Sequence, residues 1–198
     1  MGKGRAVTIQ SALRALRIMV FGACVLCCLP GSALGQSVQP ETLHKAIYLK
    51  KMLSFVQWPE GAFTAKDGAF RFCVSGDHSL VFPLTEELRS TTIDDRKVEV
   101  RWVQKEQDFR GCQALFVGAS EEKRLAKILE SVRGANVLSV GEADGFLNAG
   151  GIVQLSYEQD IVRFQINLAA ARNAGLKMDA RMLGVAKRVV KGNGAPGG

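Results

Sequence analysis

The chain has 198 residues, of which 47% are hydrophobic and 23% charged, and its formal net charge is +7. These values are typical of a globular protein with one domain, and they exclude a largely disordered or collagen-like chain. The positive charge is concentrated near the two ends, in residues 1–35 and 177–191, and residues 36–176 carry a net charge of −1. Nucleic-acid binding requires clustered cations, so no nucleic-acid partner is expected.

Residues 1–35 have the pattern of a secretory signal peptide. A basic segment at 3–17 precedes an apolar run at 18–29, and Ala33 and Gly35 provide small residues for a cleavage site. We therefore predict export, with cleavage near Gly35. An uncleaved membrane anchor is the alternative, but the apolar run is shorter than the roughly 20 residues that a membrane-spanning helix needs.

Two cysteines, Cys73 and Cys112, lie outside the predicted leader. In an exported domain, two cysteines most simply form one disulfide, and closing a loop of this length would stabilise the fold by about 4 kcal/mol. Two buried free thiols or a redox-active pair are the alternatives. Catalytic pairs usually have C-x-x-C spacing, so we favour a structural disulfide.

The remaining sequence alternates between short strands and helices. Apolar residues with helical spacing predict a helix at 41–57, which ends at Trp58-Pro59 and is followed by a loop at 61–68. Further helices are predicted at 80–88, at 121–132 with Ser120 as its cap, at 168–174, and from a cap at Asp179 to about 190. Strands are predicted at 70–74, 97–103, 114–117, 136–140, 152–157 and 161–166.

This order of elements predicts an α/β fold with one domain at 36–191 and a frayed tail at 192–198. Strands that alternate with helices form a mainly parallel sheet flanked by helices, of the Rossmann or flavodoxin-like kind. The two strands within 152–166 are joined by a short turn and form a hairpin, which we expect to add an antiparallel edge to the sheet.

Motifs for the common catalytic and cofactor sites are missing from the sequence. We find no metal-ligand spacing, no phosphate-binding glycine loop and no G-x-S-x-G motif. No cofactor, metal or enzyme activity is therefore expected. A hydrolase that uses Ser120 or Ser139 is the weakest of the functional hypotheses, because the sequence shows no general base for either serine.

The loops that follow the parallel strands are the candidate sites for a ligand or a protein partner. In open α/β sheets, ligands bind beyond the carboxyl ends of the strands. This rule selects Ser75, Asp77, Ser120 and Glu142. Asn167 and Arg172, in the segment that follows the hairpin, are further candidates. Plain structural roles such as helix capping are the alternative for these residues.

The sequence also resembles the YfiR-like family of exported repressors over residues 41–190. The resemblance depends on the order and spacing of six segments, which are 45–59, 72–77, 111–118, 137–146, 150–153 and 163–176. Both Cys73 and Cys112 lie where family members have cysteines. This chain lacks the second cysteine pair that some relatives carry in the later loop, so redox control through that pair does not carry over.

The resemblance implies a function in signalling. Such a protein would be a periplasmic α/β homodimer that binds the periplasmic sensor region of an inner-membrane diguanylate cyclase and represses it. Cyclic di-GMP and biofilm formation would fall as a result, and an outer-membrane lipoprotein would relieve the repression. A periplasmic module that binds a small ligand at the strand-end loops is the alternative function.

Overall fold

The computed structural model describes residues 39–63 and 68–192, which belong to one compact unit. The predicted leader, its cleavage point and all but the first residue of the predicted tail lie outside the described residues. The helices are α1 (Pro40–Leu53), α2 (Val81–Leu88), α3 (Glu106–Phe109), α4 (Leu125–Ser131), α5 (Leu168–Asn173) and α6 (Ala180–Val185). Short 3₁₀ turns lie at Glu60–Ala62, His78–Leu80 and Ala119–Arg124.

The strands form one large sheet and one small ribbon. They are β1 (Val56–Gln57), β2 (Phe70–Ser75), β3 (Thr92–Ile93), β4 (Arg96–Trp102), β5 (Ala114–Val117), β6 (Leu138–Gly141), β7 (Val153–Glu158), β8 (Ile161–Asn167), β9 (Lys177–Met178) and β10 (Arg188–Val190). The sheet has the order β10-β8-β7-β6-β5-β2-β4-β3, and β1 pairs with β9 in the ribbon. Neighbouring strands of the large sheet are parallel except at β7–β8 and β3–β4, and β1 and β9 of the ribbon are antiparallel. The predicted mainly parallel α/β sheet with a hairpin is therefore confirmed.

One face of the sheet packs against α1 and α2. Alternate residues of a strand point to opposite faces, and this face receives Phe72 and Val74 of β2, Phe116 of β5 and Val140 of β6. The apolar stripe of α1 that the sequence predicts, which includes Leu49, covers these side chains. Pro40 fits the first position of α1 because its fixed φ suits a helix start and its missing N–H is not needed there.

The opposite face packs against α3 and α4. Cys73 and Leu115 point to this side and pack with Phe109 of α3 and Ile128 of α4. Cys73 forms a disulfide with Cys112, and their Cα atoms are 5.9 Å apart. The disulfide that we favoured from the sequence is therefore present, and it joins the centre of the sheet to the segment that precedes β5.

The hairpin projects past the end of its neighbouring strand. β6 pairs only with Val153 and Gln154 at the start of β7, so residues 155–158 and their partners 161–164 extend beyond it. Four residues of strand correspond to about 13 Å. None of the helices in the described ranges is both long and apolar enough to cross a membrane.

Three predicted helices differ from the structure. The helix predicted at 41–57 ends at Leu53, because Val56–Gln57 pairs with Lys177–Met178 instead. The last predicted helix ends at Val185, and Arg188–Val190 forms β10 beside β8. We expected the hairpin to form the edge of the sheet. Instead β10 pairs with the end of β8 and is the edge strand. The helix predicted at 121–132 is divided into a 3₁₀ turn and α4.

Candidate functional site

The predicted loops after β2, β5 and β6 meet at the carboxyl edge of the parallel strands. In register, Ser75 of β2 lies beside Val117 of β5, which lies beside Gly141 of β6. The first two loops touch each other, because a Cβ atom on Gly118 would lie 2.9 Å from the backbone carbon of Gly76. Gly76 has a φ of +79°, which side chains rarely adopt, so both the close approach and the turn favour glycine here.

Hydrogen bonds between these loops use the hydroxyl groups of both candidate serines. The Ser75 hydroxyl is buried and donates to Oε1 of Glu121 at 3.0 Å. The Ser120 hydroxyl donates to the carbonyl oxygen of Gly76. Ser120 therefore does not cap the following helix as predicted, since Gly118 occupies the N-cap position and Ser120 instead joins two loops. Both serines have structural partners within the protein.

A buried ion pair lies at the same edge. Lys45 of α1 forms salt bridges with Glu142, which follows β6, and with Glu41 at 2.6 Å. The side chains of Lys45 and Glu142 are only 10% and 16% exposed. Sequence reasoning selected Glu142 but missed Lys45. Lys45 lies four residues before Leu49 on the apolar stripe of α1, and this position in the sequence could have indicated that Lys45 is buried.

The pKa values of both partners of the ion pair are raised, for different reasons. Burial raises the pKa of Glu142, the contacts with Lys45 oppose this shift, and the charges of Asp77 and Glu41 add to it. Burial alone would lower the pKa of Lys45, but the hydrogen bonds to Glu142 and Glu41 raise it above the ordinary value. Lys45 therefore stays charged, while Glu142 takes up a proton more readily than an exposed glutamate.

The projecting hairpin and the start of α1 complete this edge. Nδ1 of His44 lies 3.2 Å from the Tyr157 hydroxyl, which donates to Asp160 at 3.2 Å. Large apolar side chains are also exposed here, with Leu43 at 41% in α1 and Ile161 at 46% in the hairpin. The first turns of α1 thus contact the hairpin beyond the end of the sheet.

Asn167 and Arg172 lie away from the other candidate residues. Because β8 is antiparallel to β7, its last residue, Asn167, lies at the opposite, amino edge of the parallel strands. There Asn167 caps α5 by accepting from the backbone N–H of Ala170 at 2.9 Å, and it donates to the carbonyl oxygen of Leu147 at 3.2 Å. Arg172 is exposed on α5. The six predicted candidates therefore do not form one site.

The candidate catalytic residues have other partners. Oγ of Ser139 accepts from the backbone N–H of Ile152 at 3.0 Å. Within residues 39–63 and 68–192, no three histidine, cysteine or acidic side chains are placed to hold a metal ion.

The fold and the carboxyl edge together define the class of protein. It is an α/β domain in which the Cys73–Cys112 disulfide lies beside the central strands, the strand-end loops are bonded to one another, and α1 and the hairpin carry exposed apolar side chains. The family model DUF4154, described as YfiR/HmsC-like, matches residues 43–187, and the chain belongs to this family. This family is periplasmic, and it is a regulatory rather than a catalytic family.

Solved structures with a similar chain path are distant in sequence. A conserved domain protein from Vibrio cholerae O1 biovar El Tor is 13% identical with a TM-score of 0.48, and the match covers 75% of this chain and 60% of that one. The ABC domain in complex with L-Trp from Streptococcus pneumonia is 12% identical with a TM-score of 0.48, covering 71% of this chain and 61% of that one. The chain thus matches less than two thirds of each. No curated protein matches the chain.

Proposed function

We propose that this protein is an exported regulator that represses an inner-membrane diguanylate cyclase by binding its periplasmic region. The observation that carries this proposal is the family match over residues 43–187, which includes the large sheet from β2 to β8. Repression requires only that the protein binds the inactive state of the cyclase more tightly than the active state. Moving such an equilibrium from 1:99 to 99:1 requires a preference of about 10⁴-fold.

We place the partner surface at the carboxyl edge of the sheet. Its members are the exposed apolar side chains of Leu43, Phe82 and Ile161, which are 41%, 66% and 46% exposed. Leu43 lies in α1 two residues before Lys45, whose ion pair with Glu142 joins α1 to this edge. Phe82 lies in the first turn of α2, shortly after the β2 loop. Exposed apolar groups along one edge of a domain support association with a protein partner.

The tied loops beneath this surface suit a binding function. The bonds between the β2 and β5 loops fix the backbone before any partner arrives, so binding would lose little conformational entropy. We further propose that the protein acts as a homodimer in the periplasm. An outer-membrane lipoprotein that competes for the bound regulator would relieve the repression.

The test is the level of cyclic di-GMP in a strain that encodes both this protein and a membrane diguanylate cyclase. Deletion of the gene should raise cyclic di-GMP and biofilm formation, and a plasmid copy should restore both. An unchanged cyclic di-GMP level after deletion would contradict the proposed function.

Two matched variants test the surface. Ile161→Glu places a charge on the hairpin and should fail to restore repression. Thr92→Glu places the same charge on an exposed residue of β3, the strand at the other end of the sheet, and it should restore repression. Immunoblots of the periplasmic fraction should give equal amounts of both variants. Full repression by Ile161→Glu would place the partner surface elsewhere.

A further inference from the structure

A cavity of about 410 Å³ lies at the amino edge of the sheet, opposite the proposed partner surface. It is bounded by the end of α4, the start of β6, the loop before β7 and α5. Its volume is within the range of 300–1,000 Å³ that is usual for small-molecule sites. Nothing in the proposed function uses this cavity.

The floor of the cavity is a row of three residues across the sheet. Ser139 of β6, Ile152 before β7 and Asn167 of β8 are adjacent in the strand pairing. Ser139 and Asn167 are 3% and 8% exposed, so both polar side chains are removed from bulk water. Buried polar groups usually have all of their hydrogen bonds made, because an unmade bond in a dry site costs about 1–3 kcal/mol.

Each of these two side chains keeps an unused hydrogen-bond donor within the described part of the chain. Oγ of Ser139 already accepts from Ile152, and no carbonyl or carboxylate there receives its O–H. The amide nitrogen of Asn167 gives one hydrogen to Leu147 and has a second. The Asn167 carbonyl is occupied by the N–H of Ala170, which fixes the orientation of the amide. The floor thus offers donors and needs acceptors.

The walls and the mouth of the cavity indicate the rest of the ligand. The walls are mixed: Leu129 of α4, Val132 just after it and Leu147 are apolar, whereas Asn148 and Asn173 are polar. Arg133 is the one ionisable residue in the lining, and no carboxylate lines the cavity. Arg133 forms an ion pair with Glu130, and the two side chains are 74% and 64% exposed. Exposed ion pairs contribute little to stability, so a bound anion can replace the glutamate as the partner of Arg133.

We propose that this cavity binds a small organic acid with a compact apolar body. The apolar body would lie between α4 and Leu147, and acceptor oxygens would receive the spare hydrogens of Ser139 and Asn167. Arg133 at the mouth makes the site selective for an anion over a cation of the same shape. Ala170 of α5 and Ala174, which directly follows α5, are small residues that leave this space open.

The first test compares two probes of the same shape and opposite charge on the full chain. Isothermal titration calorimetry with 3-phenylpropionate should give saturable binding, and 3-phenylpropylamine should bind at least tenfold more weakly. Arg133→Gln should reduce this difference to less than threefold. Equal binding of the acid and the amine, or binding of neither, would overturn the proposal.

The second test fills the cavity from its wall. Ala170→Leu adds apolar volume to a lining residue of α5 and should weaken binding of 3-phenylpropionate at least tenfold. Ala169→Leu makes the same substitution one position earlier, outside the lining, and should change binding less than twofold. Undiminished binding by Ala170→Leu would exclude this cavity as the site. If that variant fails to fold, the comparison of the two probes on the unmodified chain still decides the proposal.

Discussion

The ring of Phe146 is held between two glycines, and this contact gives a sharp prediction. Phe146 is fully buried in the loop between β6 and β7. A Cβ atom on Gly141 would lie 2.1 Å from Cε2 of the ring, and one on Gly151 would lie 2.1 Å from Cε1. Neither glycine has a positive φ, so the requirement is for space and not for an unusual backbone.

The magnitude follows from these distances. Carbon atoms pack at about 3.5–4.0 Å, so a methyl group at Gly141 would displace the ring by about 1.5 Å within a closed core. Overpacking of this kind costs about 1–3 kcal/mol, and we expect Gly141→Ala to lie at the upper end of that range because Gly151 blocks the opposite side of the ring. The measurement is urea denaturation followed by tryptophan fluorescence, with the disulfide intact.

A matched control and a rescue variant separate this reasoning from a general effect of alanine. Gly184 lies in α6 with no atom within 4 Å of its added Cβ, so Gly184→Ala should stabilise the fold by about 0.5–1 kcal/mol. In a Phe146→Leu background the smaller side chain should accept the new methyl group, and the cost of Gly141→Ala should fall by more than half. A free energy of unfolding for Gly141→Ala within 0.5 kcal/mol of the unmodified chain would refute the argument.

Two further predictions concern the disulfide and the buried ion pair. Replacing both Cys73 and Cys112 by Ala should lower the free energy of unfolding by about 4 kcal/mol, measured by urea denaturation, and adding a reductant should then have no further effect. Lys45→Met should destabilise the fold by about 2–4 kcal/mol at pH 7, because Glu142 loses its buried cation, whereas Lys50→Met removes only a part-exposed pair and should cost less than about 1 kcal/mol. The folded pKa of Glu142 lies above its ordinary value of 4.5, so protonation of Glu142 stabilises the folded state. This stabilisation is complete below pH 4.5 and is lost as the pH rises through the folded pKa. The deficit of Lys45→Met should therefore be smaller at pH 4.5 than at pH 7, and an equal deficit at both values would contradict the assignment.

The central strands could be predicted because local sequence specifies them. The run Ala114–Val117 is entirely apolar and ends at a glycine, as expected for a strand that is buried on both faces. The alternating pattern of Arg96–Trp102 likewise predicts a strand with one buried face. In both cases burial and periodicity indicate the same element, and no distant residue is needed to decide between helix and strand.

The errors arise where a distant part of the chain decides the structure. Val56 continues the apolar stripe of α1, yet it pairs with Met178, which lies more than 100 positions away. Val189 and Val190 fit the end of a helix by position, but their β-branched side chains favour a strand, and the open edge of β8 gives them a partner. Local periodicity contains no information about either pairing.

The same limitation explains which site residues were found. Polar residues after parallel strands follow a rule of topology, so Ser75 and Glu142 could be placed at one edge from sequence alone. Asn167 lies at the opposite edge, and the predicted hairpin already implied this, because its second strand runs antiparallel to the first. Lys45 was missed for a different reason. A lysine on an apolar stripe is buried only when a carboxylate meets it, and that carboxylate is almost 100 residues away.

The two ends of the sheet differ in their hydrogen bonding, and this difference separates the two proposals. At the carboxyl edge each of Ser75 and Ser120 donates a hydrogen bond to the other's loop. The exposed apolar side chains at this edge are therefore the groups that can bind a protein partner. At the amino edge Ser139 and Asn167 have hydrogens to spare beneath an open cavity. Ile161 lies in the hairpin, which extends about 13 Å beyond the carboxyl edge, and substitutions more than about 10 Å apart usually act independently. A partner-surface variant should therefore keep its affinity for the organic acid, and a cavity variant should keep its repression, so either proposal can fail without the other.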